Sequence, residues 1–166
     1  MSGDLDGQVF RRAMAVLPTG VSVLTTIYGT AVHGMTVGSL TSVSLTPPLI
    51  SVCLRKESPT LRLIRRNGKF GLSVLAAGQV SVADCFATPE RETGAVEFSF
   101  LDGVPVVSGA AGWLACTHRH TYAAGDHAIV IGAVSRAESR AGEPLIRHRS
   151  RYRHLNPEEE TLVTPR

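Results

Sequence analysis

The chain has 166 residues and a formal net charge of +3, and its length fits one domain with a sizeable core. No apolar run approaches the roughly 20 residues of a membrane span, so a membrane protein is not predicted. Aromatic residues make up only 5% of the chain, whereas nucleic-acid binders usually interleave aromatic side chains with concentrated basic charge. Nucleic-acid binding is therefore not expected.

The N-terminus and the cysteines indicate the cellular compartment. Residues 1–8 carry acidic side chains and no apolar core, so no signal peptide is predicted and we expect a cytoplasmic protein. The three cysteines are far apart and form no Cys-x-x-Cys pair, which argues against a disulfide scaffold or a structural zinc site. We expect Cys53, Cys85 and Cys116 to be reduced and buried.

Apolar and β-branched patterning predicts the elements of the first third of the chain. They are a helix over 7–17, a strand over 21–28, a turn at 29–30, an extended segment over 34–46 that bends back, and a buried strand over 49–54.

The same patterns predict the remaining elements and the fold class. These elements are a helix ending at 67–68, a strand over 69–75, a short helix over 79–87, a polar irregular segment over 88–100, a turn at 102–105, an antiparallel hairpin of strands over 113–123 and 127–138, and a core segment over 144–155. Many strands with few short helices indicate a mainly β protein, built as a mostly antiparallel barrel. Residues 1–155 form its single domain, and 156–166 form a loosely held tail.

Residues 34–54 are the first candidate for a binding site. Hydroxyl side chains recur along the first half, and valine and leucine supply apolar surface between them. A planar, partly polar ligand needs apolar surface for its rings and hydrogen-bond partners for its heteroatoms, so this pattern predicts a binding wall. The alternative is that the hydroxyls only decorate the outer face of a half-buried strand. The hydroxyl residues are Thr36, Ser39, Thr41, Ser42, Ser44 and Thr46.

The start of the helix after residue 57 is a second candidate. Ser58 has the position of an N-cap and Pro59 that of the first helical residue. A helix N-terminus beside basic Arg55 and Lys56 favours a phosphate group, which Ser58 and Thr60 would meet. The alternative is plain capping with a solvated basic face.

Two other candidates are weaker. His118 and His120 share one face of a strand, but no carboxylate has matching spacing, so no metal site is predicted. Cys116 with His127 as its base would form a nucleophilic pair, yet a lone cysteine in an apolar strand is more often a core residue.

The predicted hairpin turn at Gly125, Asp126 and His127 gives a sharper candidate. An imidazole at the mouth of a hairpin, where glycine allows close backbone approach, offers a hydrogen bond or a titratable proton near neutral pH. A turn without any ligand is the alternative.

These motifs occur in a fixed order over residues 7–155. They are 10–11, 18–21, 35–45 (Met-Thr-Val-Gly-Ser-Leu-Thr-Ser-Val-Ser-Leu), 47–49, 53, 58–60, 70–74, 103–105, 114–116 and 125–127. Together they resemble the flavin reductase-like family of FMN-binding split barrels, the reductase components of two-component flavin-dependent monooxygenases. The resemblance implies a Greek-key antiparallel split barrel and a homodimer whose flavin lies at or near the subunit interface.

The resemblance also implies roles for individual residues. The flavin would be lined by Thr36, Val37, Ser39 and Ser42, with Gly38 leaving its edge open and Cys53 lying alongside. Its phosphate would meet Ser58 and Thr60, and Phe86 would form a further wall. His127 would position the nicotinamide. One departure is Glu97 before Phe98, where the family often has a basic residue. A second is Gly38, where the family often has Asn or Ala.

The activity implied by the resemblance is that of an NAD(P)H:flavin oxidoreductase. A hydride would pass from the nicotinamide to FMN or FAD, and the reduced flavin would diffuse to a partner monooxygenase. The alternative function is a non-catalytic flavin carrier or sensor of the same fold. The choice between NADH and NADPH stays open, because Arg55, Lys56 and the basic cluster over 147–153 can each meet a 2′-phosphate or face solvent.

Overall fold

The computed structural model describes residues 5–88 and 95–155. The elements in chain order are α1 (Gly7–Met14), β1 (Thr19–Gly20), β2 (Ser22–Tyr28), β3 (Ala31–Val37), β4 (Thr41–Leu45), β5 (Pro48–Arg55), α2 (Pro59–Asn67), β6 (Lys69–Val74), α3 (Val80–Ala87), β7 (Phe98–Leu101), β8 (Val104–Val107), β9 (Gly112–Ala124), β10 (His127–Ser139), β11 (Ile146–His148) and β12 (Arg151–Arg153). None of the described helices is long and apolar enough to cross a membrane.

A seven-stranded antiparallel sheet forms the body of the fold. Its strand order is β3-β2-β6-β9-β10-β5-β4, and β3 and β4 are its two edges. The long β9–β10 hairpin lies inside the sheet and joins β6 on one side to β5 on the other. Because the edges do not pair among the described residues, the barrel is split, as expected for this mainly β chain.

Two smaller sheets complete the described structure. Strand β1 pairs with β11, and β11 pairs with β12, which brings the C-terminal hairpin beside the start of the chain. Strands β7 and β8 form a separate hairpin. Its turn has positive φ angles at Asp102 and Gly103, a conformation that glycine adopts without steric cost.

Of the three apolar clusters among the described residues, two pack a helix against strands. The larger cluster packs Leu61 and Ile64 of α2 against buried sheet residues such as Phe70. The second packs Phe86 of α3 against Leu75 and neighbouring apolar residues. Helix α1 differs because it has no buried residue. Its amphipathic surface therefore faces out of these clusters.

The ends of α2 follow the predicted capping. Pro59 occupies the first turn, and Gly68 ends the helix with φ of 70° while its N–H donates to the carbonyl of Ile64. This left-handed residue is the usual way to satisfy the last carbonyl groups of a helix. The side chain of Ser58 makes no capping hydrogen bond, although it has the N-cap position.

Three expectations are corrected. Helix α1 ends at Met14 rather than at residue 17. The segment expected to be irregular contains β7, because residues from Phe98 onward pair with β8; Phe98 also packs edge-on against Phe86 with ring centroids 6.2 Å apart. Cys53 is exposed and Cys85 partly exposed, so of the three cysteines only Cys116 is buried. The predicted tail over 156–166 lies outside the described residues.

Candidate active site

A cavity of about 1140 Å³ lies between α1, the bend from β3 to β5, the start of α2 and the C-terminal hairpin. Small-molecule sites usually occupy about 300–1,000 Å³, so the cavity has room for more than one ring system. Its lining comprises Phe10, Arg11, Met14, Ala15, Leu17, Thr19, His33, Met35, Thr36, Val37, Gly38, Ser39, Cys53, Arg55, Glu57, Ser58, Pro59, Ala87, His127, Arg147, Arg149 and Ser150.

Ser39 fixes the bend after β3. Its hydroxyl accepts a hydrogen bond from the N–H of Cys53 at 2.9 Å and donates to the carbonyl of the same residue at 3.3 Å. Pairing of β4 with β5 begins only at Thr41, opposite Ser51. The Ser39 side chain therefore replaces a strand partner along the last part of β5.

The neighbouring wall residues are also held in place. The Thr36 hydroxyl donates to the carbonyl of Ala83 in α3 at 2.7 Å. A Cβ added at Gly38 would lie 3.0 Å from the Thr19 hydroxyl oxygen, closer than ordinary contact. Glycine therefore lets the end of β3 approach β1. Because Gly38 has no side chain, the wall does not project into the cavity at this position.

The β9–β10 turn is followed by His127, which lines the cavity. Gly125 has φ of 59°, and His127 lies opposite Arg55 in the register of β10 and β5. The imidazole Nδ1 lies 2.7 Å from a carboxylate oxygen of Asp126. This hydrogen bond and the imidazole charge hold the pKa of Asp126 below its ordinary value. A negative carboxylate thus orients the ring and leaves Nε2 for a ligand.

The start of α2 contributes a polar corner of the cavity. Ser58 and Pro59 line the cavity together with Arg55 and Glu57. The Ser58 hydroxyl lies 3.8 Å from the Met35 sulfur, a weak contact that leaves it available to a ligand. The helix dipole and the guanidinium both favour an anionic group here.

Three predicted site residues lie outside the cavity lining. Phe86 is 1% exposed in the second apolar cluster, so its assignment as a flavin wall is wrong. Thr60 is also 1% exposed, and its hydroxyl hydrogen-bonds the His33 imidazole at 3.0 Å, so it does not reach a phosphate in the cavity. Ser42 is exposed on β4, next to a register shift in the β4–β5 pairing. The lining does include Thr36, Val37, Gly38, Ser39, Cys53, Ser58 and His127.

The structure adds lining residues that were not among the predicted site residues. Phe10 and Met14 come from the amphipathic face of α1, and Arg147 and Arg149 come from the β11–β12 hairpin. The helical period of α1 and the basic cluster were visible in the sequence. Their position over the cavity depends on long-range pairing of β1 with β11.

The surroundings of Cys116 and His118 indicate structural roles rather than chemical ones. Burial raises the pKa of the Cys116 thiol to about 12, which makes it a core residue rather than a nucleophile at neutral pH. His118 accepts or donates a hydrogen bond with the Thr121 hydroxyl at 2.8 Å, and burial lowers its pKa. Within the described ranges no group of three potential metal ligands occurs.

The residues present fit a flavin. The wall supplies apolar surface from Met35 and Val37 for flat rings, and the polar groups of the β3–β5 bend border it. The α2 corner with Arg55 supplies positive potential for a phosphate group. These features define the class of this protein, a split-barrel protein whose cavity fits a flavin and has room for a second ring system.

Comparison with known proteins leads to the family. Residues 14–156 match the model of the flavin reductase like domain, and the chain belongs to the flavin reductase-like family. An NADH-dependent FMN reductase from Streptomyces nodosus subsp. asukaensis is 38% identical over 154 residues, covering 88% of this chain and 83% of that protein.

Two solved structures share the fold. The NADH:FAD oxidoreductase of Streptomyces globisporus C-1027, in complex with NAD and FAD fragments, has a TM-score of 0.87 and 34% identity, covering 93% of this chain and 96% of that one. The styrene monooxygenase flavin reductase of Pseudomonas putida S12 has a TM-score of 0.84 and 34% identity, covering 89% and 97%.

Proposed function

We propose that this protein is the reductase component of a two-component system and supplies diffusible reduced flavin to a separate monooxygenase. The protein is an NAD(P)H-dependent flavin reductase, which uses a reduced nicotinamide to reduce FMN or FAD. The observation that carries the proposal is the joint lining of one cavity by the tethered β3–β5 bend and by His127. In this proposal the bend forms the wall for one ring, and His127 positions the second substrate.

The chemistry is that of the cofactors, since a hydride passes from the nicotinamide C4 to the flavin N5. The protein provides proximity and orientation, which need close stacking of two rings but no general base. The bend held by Ser39 and Thr36 provides a rigid wall for one ring. His127, oriented by Asp126, donates or accepts a hydrogen bond at the nicotinamide and acts as a positioning residue.

Binding of the flavin phosphate is assigned to the α2 corner. Ser58 offers a hydroxyl, Arg55 offers a guanidinium, and the positive end of the helix dipole lies at the same place. The absence of a side chain at Gly38 leaves the flavin edge open. An open site with moderate affinity suits a product that must leave for another protein.

A homodimer is part of the proposal. Large apolar side chains are exposed along α1, where Phe10 is 54% and Met14 48% exposed, and at the β4–β5 turn, where Leu45 is 87% exposed. A second copy that covers these surfaces would bury them and narrow the cavity. We place the protein in the cytoplasm, where reduced nicotinamide is produced.

Oxidation of NADH and NADPH by the purified protein tests the proposal. The absorbance of the reduced nicotinamide is followed with FMN, FAD or riboflavin added in turn, and without flavin as a control. Flavin-dependent oxidation is expected, and the rates rank the flavins and the two nicotinamides. Tight flavin binding without oxidation of either nicotinamide would instead identify a non-catalytic carrier.

The His127→Ala variant separates catalysis from flavin binding. Loss of the imidazole should raise KM for the nicotinamide or slow flavin reduction, because the ring no longer orients the hydride donor. Flavin affinity, measured by quenching of flavin fluorescence, should change little. Unchanged turnover in this variant would remove His127 from the mechanism.

A further inference from the structure

The C-terminal hairpin places two of its arginines in the cavity lining. Arg147 of β11 and Arg149 of the following turn line the cavity, whereas Arg151 and Arg153 of β12 do not. The cluster of basic residues over 147–153 is thus divided between a cavity side and a solvent side. Arg11 of α1 lies in the same lining.

The two arginines are part of a fixed structure rather than a free surface loop. Arg147 lies opposite Thr19 in the pairing of β11 with β1. The N–H of Arg149 donates to the carbonyl of Ala15 at 2.8 Å, and Arg149 and Ser150 form a tight turn with φ of 50° and 59°. The backbone therefore holds both side chains beside the end of α1.

Within the described ranges 5–88 and 95–155, no acid forms an ion pair that would balance the charge at this place. Among the described residues, neither Arg147 nor Arg149 forms an ion pair with a carboxylate. Glu57 is the acidic residue of the described lining, and it lies by the α2 corner. Asp84, on α3, accepts a hydrogen bond from the Tyr152 hydroxyl. Two unpaired guanidinium groups favour a multiply charged, planar or bidentate anion.

The two arginines of the C-terminal hairpin and Arg55 of the α2 corner lie at opposite ends of the wall. Arg147 adjoins Thr19, Thr19 adjoins Gly38, and the segment after Gly38 is bonded through Ser39 to β5. Arg55 then follows at the end of β5. Basic residues therefore lie at both ends of the ring-binding wall, and a mononucleotide flavin has only one phosphate group.

We propose that Arg147 and Arg149 bind the diphosphate of a dinucleotide substrate, in the first instance the reduced nicotinamide dinucleotide. The inference rests on the proposed function, because it names the part of the nicotinamide substrate that lies beyond the ring. The same diphosphate chemistry occurs in FAD, and the experiment distinguishes the two sources. NADH and NADPH share the diphosphate, so both should respond equally to loss of these arginines.

The test compares hydride donors with and without phosphate. The variants Arg147→Gln and Arg149→Gln are assayed with riboflavin as acceptor and with either NADH or the uncharged donor 1-benzyl-1,4-dihydronicotinamide. The ratio of kcat/KM for NADH to that for the uncharged donor should fall about tenfold in each variant. The matched control Arg151→Gln, on the same hairpin but outside the lining, should keep the wild-type ratio.

A second arm identifies the source of the diphosphate. With the uncharged donor, FAD is compared with riboflavin as acceptor, and a tenfold loss confined to FAD would assign the same arginines to the flavin. Unchanged ratios in both arms, or an equal loss in Arg151→Gln, would overturn the proposal. If the wild-type protein oxidised no donor, the proposed function would fail. Calorimetric titration of ADP into the wild-type and Arg149→Gln proteins would still test the diphosphate site.

Discussion

Replacing Ser39 by alanine tests whether the wall depends on its tether to β5. The change removes one hydrogen bond of 2.9 Å and a longer one of 3.3 Å, both to the backbone of Cys53. A hydrogen bond contributes about 0.5–1.5 kcal/mol net. Because Cys53 is exposed, water can replace the lost partner. The expected cost is therefore about 1 kcal/mol for the pair.

This cost should appear in two measurements. In a domain of this size it lowers the thermal midpoint by about 2–4 °C. It should also weaken flavin binding about fivefold, because the segment from Gly38 onward loses its connection to β5. Thermal unfolding followed by circular dichroism gives the first value, and quenching of flavin fluorescence gives the second.

Ser42→Ala provides the matched control. Ser42 lies on the same stretch and is exposed, but outside the cavity lining. Both values should stay close to wild type in this variant. Equal losses in Ser39→Ala and Ser42→Ala, or no loss in either, would refute the reasoning about the tether.

Three other outcomes depend on burial and close packing. A disulfide reagent at pH 8 should label Cys53 in the native protein and Cys116 only after unfolding, because burial raises the pKa of the Cys116 thiol to about 12. Gly71→Ala should lower stability by about 1–3 kcal/mol in urea denaturation, because the new Cβ would overlap the carbonyl oxygen of Pro105. In Tyr152→Phe, the free energy of unfolding should fall less steeply at alkaline pH than it does in the wild type. Burial and a carboxylate partner raise the pKa of Tyr152 above 10.0, so its contribution is complete below pH 10 and is lost as pH rises through the folded value.

For each of these three predictions, a specific result would contradict the reasoning. Peptide mapping that finds Cys116 labelled in the native protein would contradict its burial. A wild-type urea midpoint in Gly71→Ala would mean that Pro105 moves away at no cost. Stability curves of wild type and Tyr152→Phe that stay parallel from pH 9 to pH 11 would exclude the tyrosine as the titrating group.

Local patterns in the sequence predicted the elements that build the site. Three signals are local, because each one determines the conformation of residues only a few positions away. They are the β-branched run of β5, the proline and glycine at the ends of α2, and the turn before His127. The structure has them where the sequence indicated. Residues 36–39, which line the cavity, were indicated for the same reason, because hydroxyl and apolar residues alternate along one segment.

The errors arose where tertiary packing decides. Ser39 and Ser42 are alike in local pattern, but only Ser39 lies beside the free part of β5. Phe86 was assigned by the resemblance, and its burial under β7 depends on contacts distant in sequence. Similarly, no local pattern separates Arg149 from Arg151, since the turn is directed toward the cavity by the pairing of β11 with β1 and by the bond to Ala15.

The hydroxyls of the wall have a different role from the one that their pattern first indicated. Thr36 donates to Ala83, and Ser39 both accepts from and donates to Cys53. Their donor hydrogens are therefore used within the protein, and a flavin placed here would meet backbone groups and a rigid surface instead. Such a wall orients a ring without many strong side-chain hydrogen bonds. The same property would let reduced flavin leave, which is what delivery to a second enzyme requires.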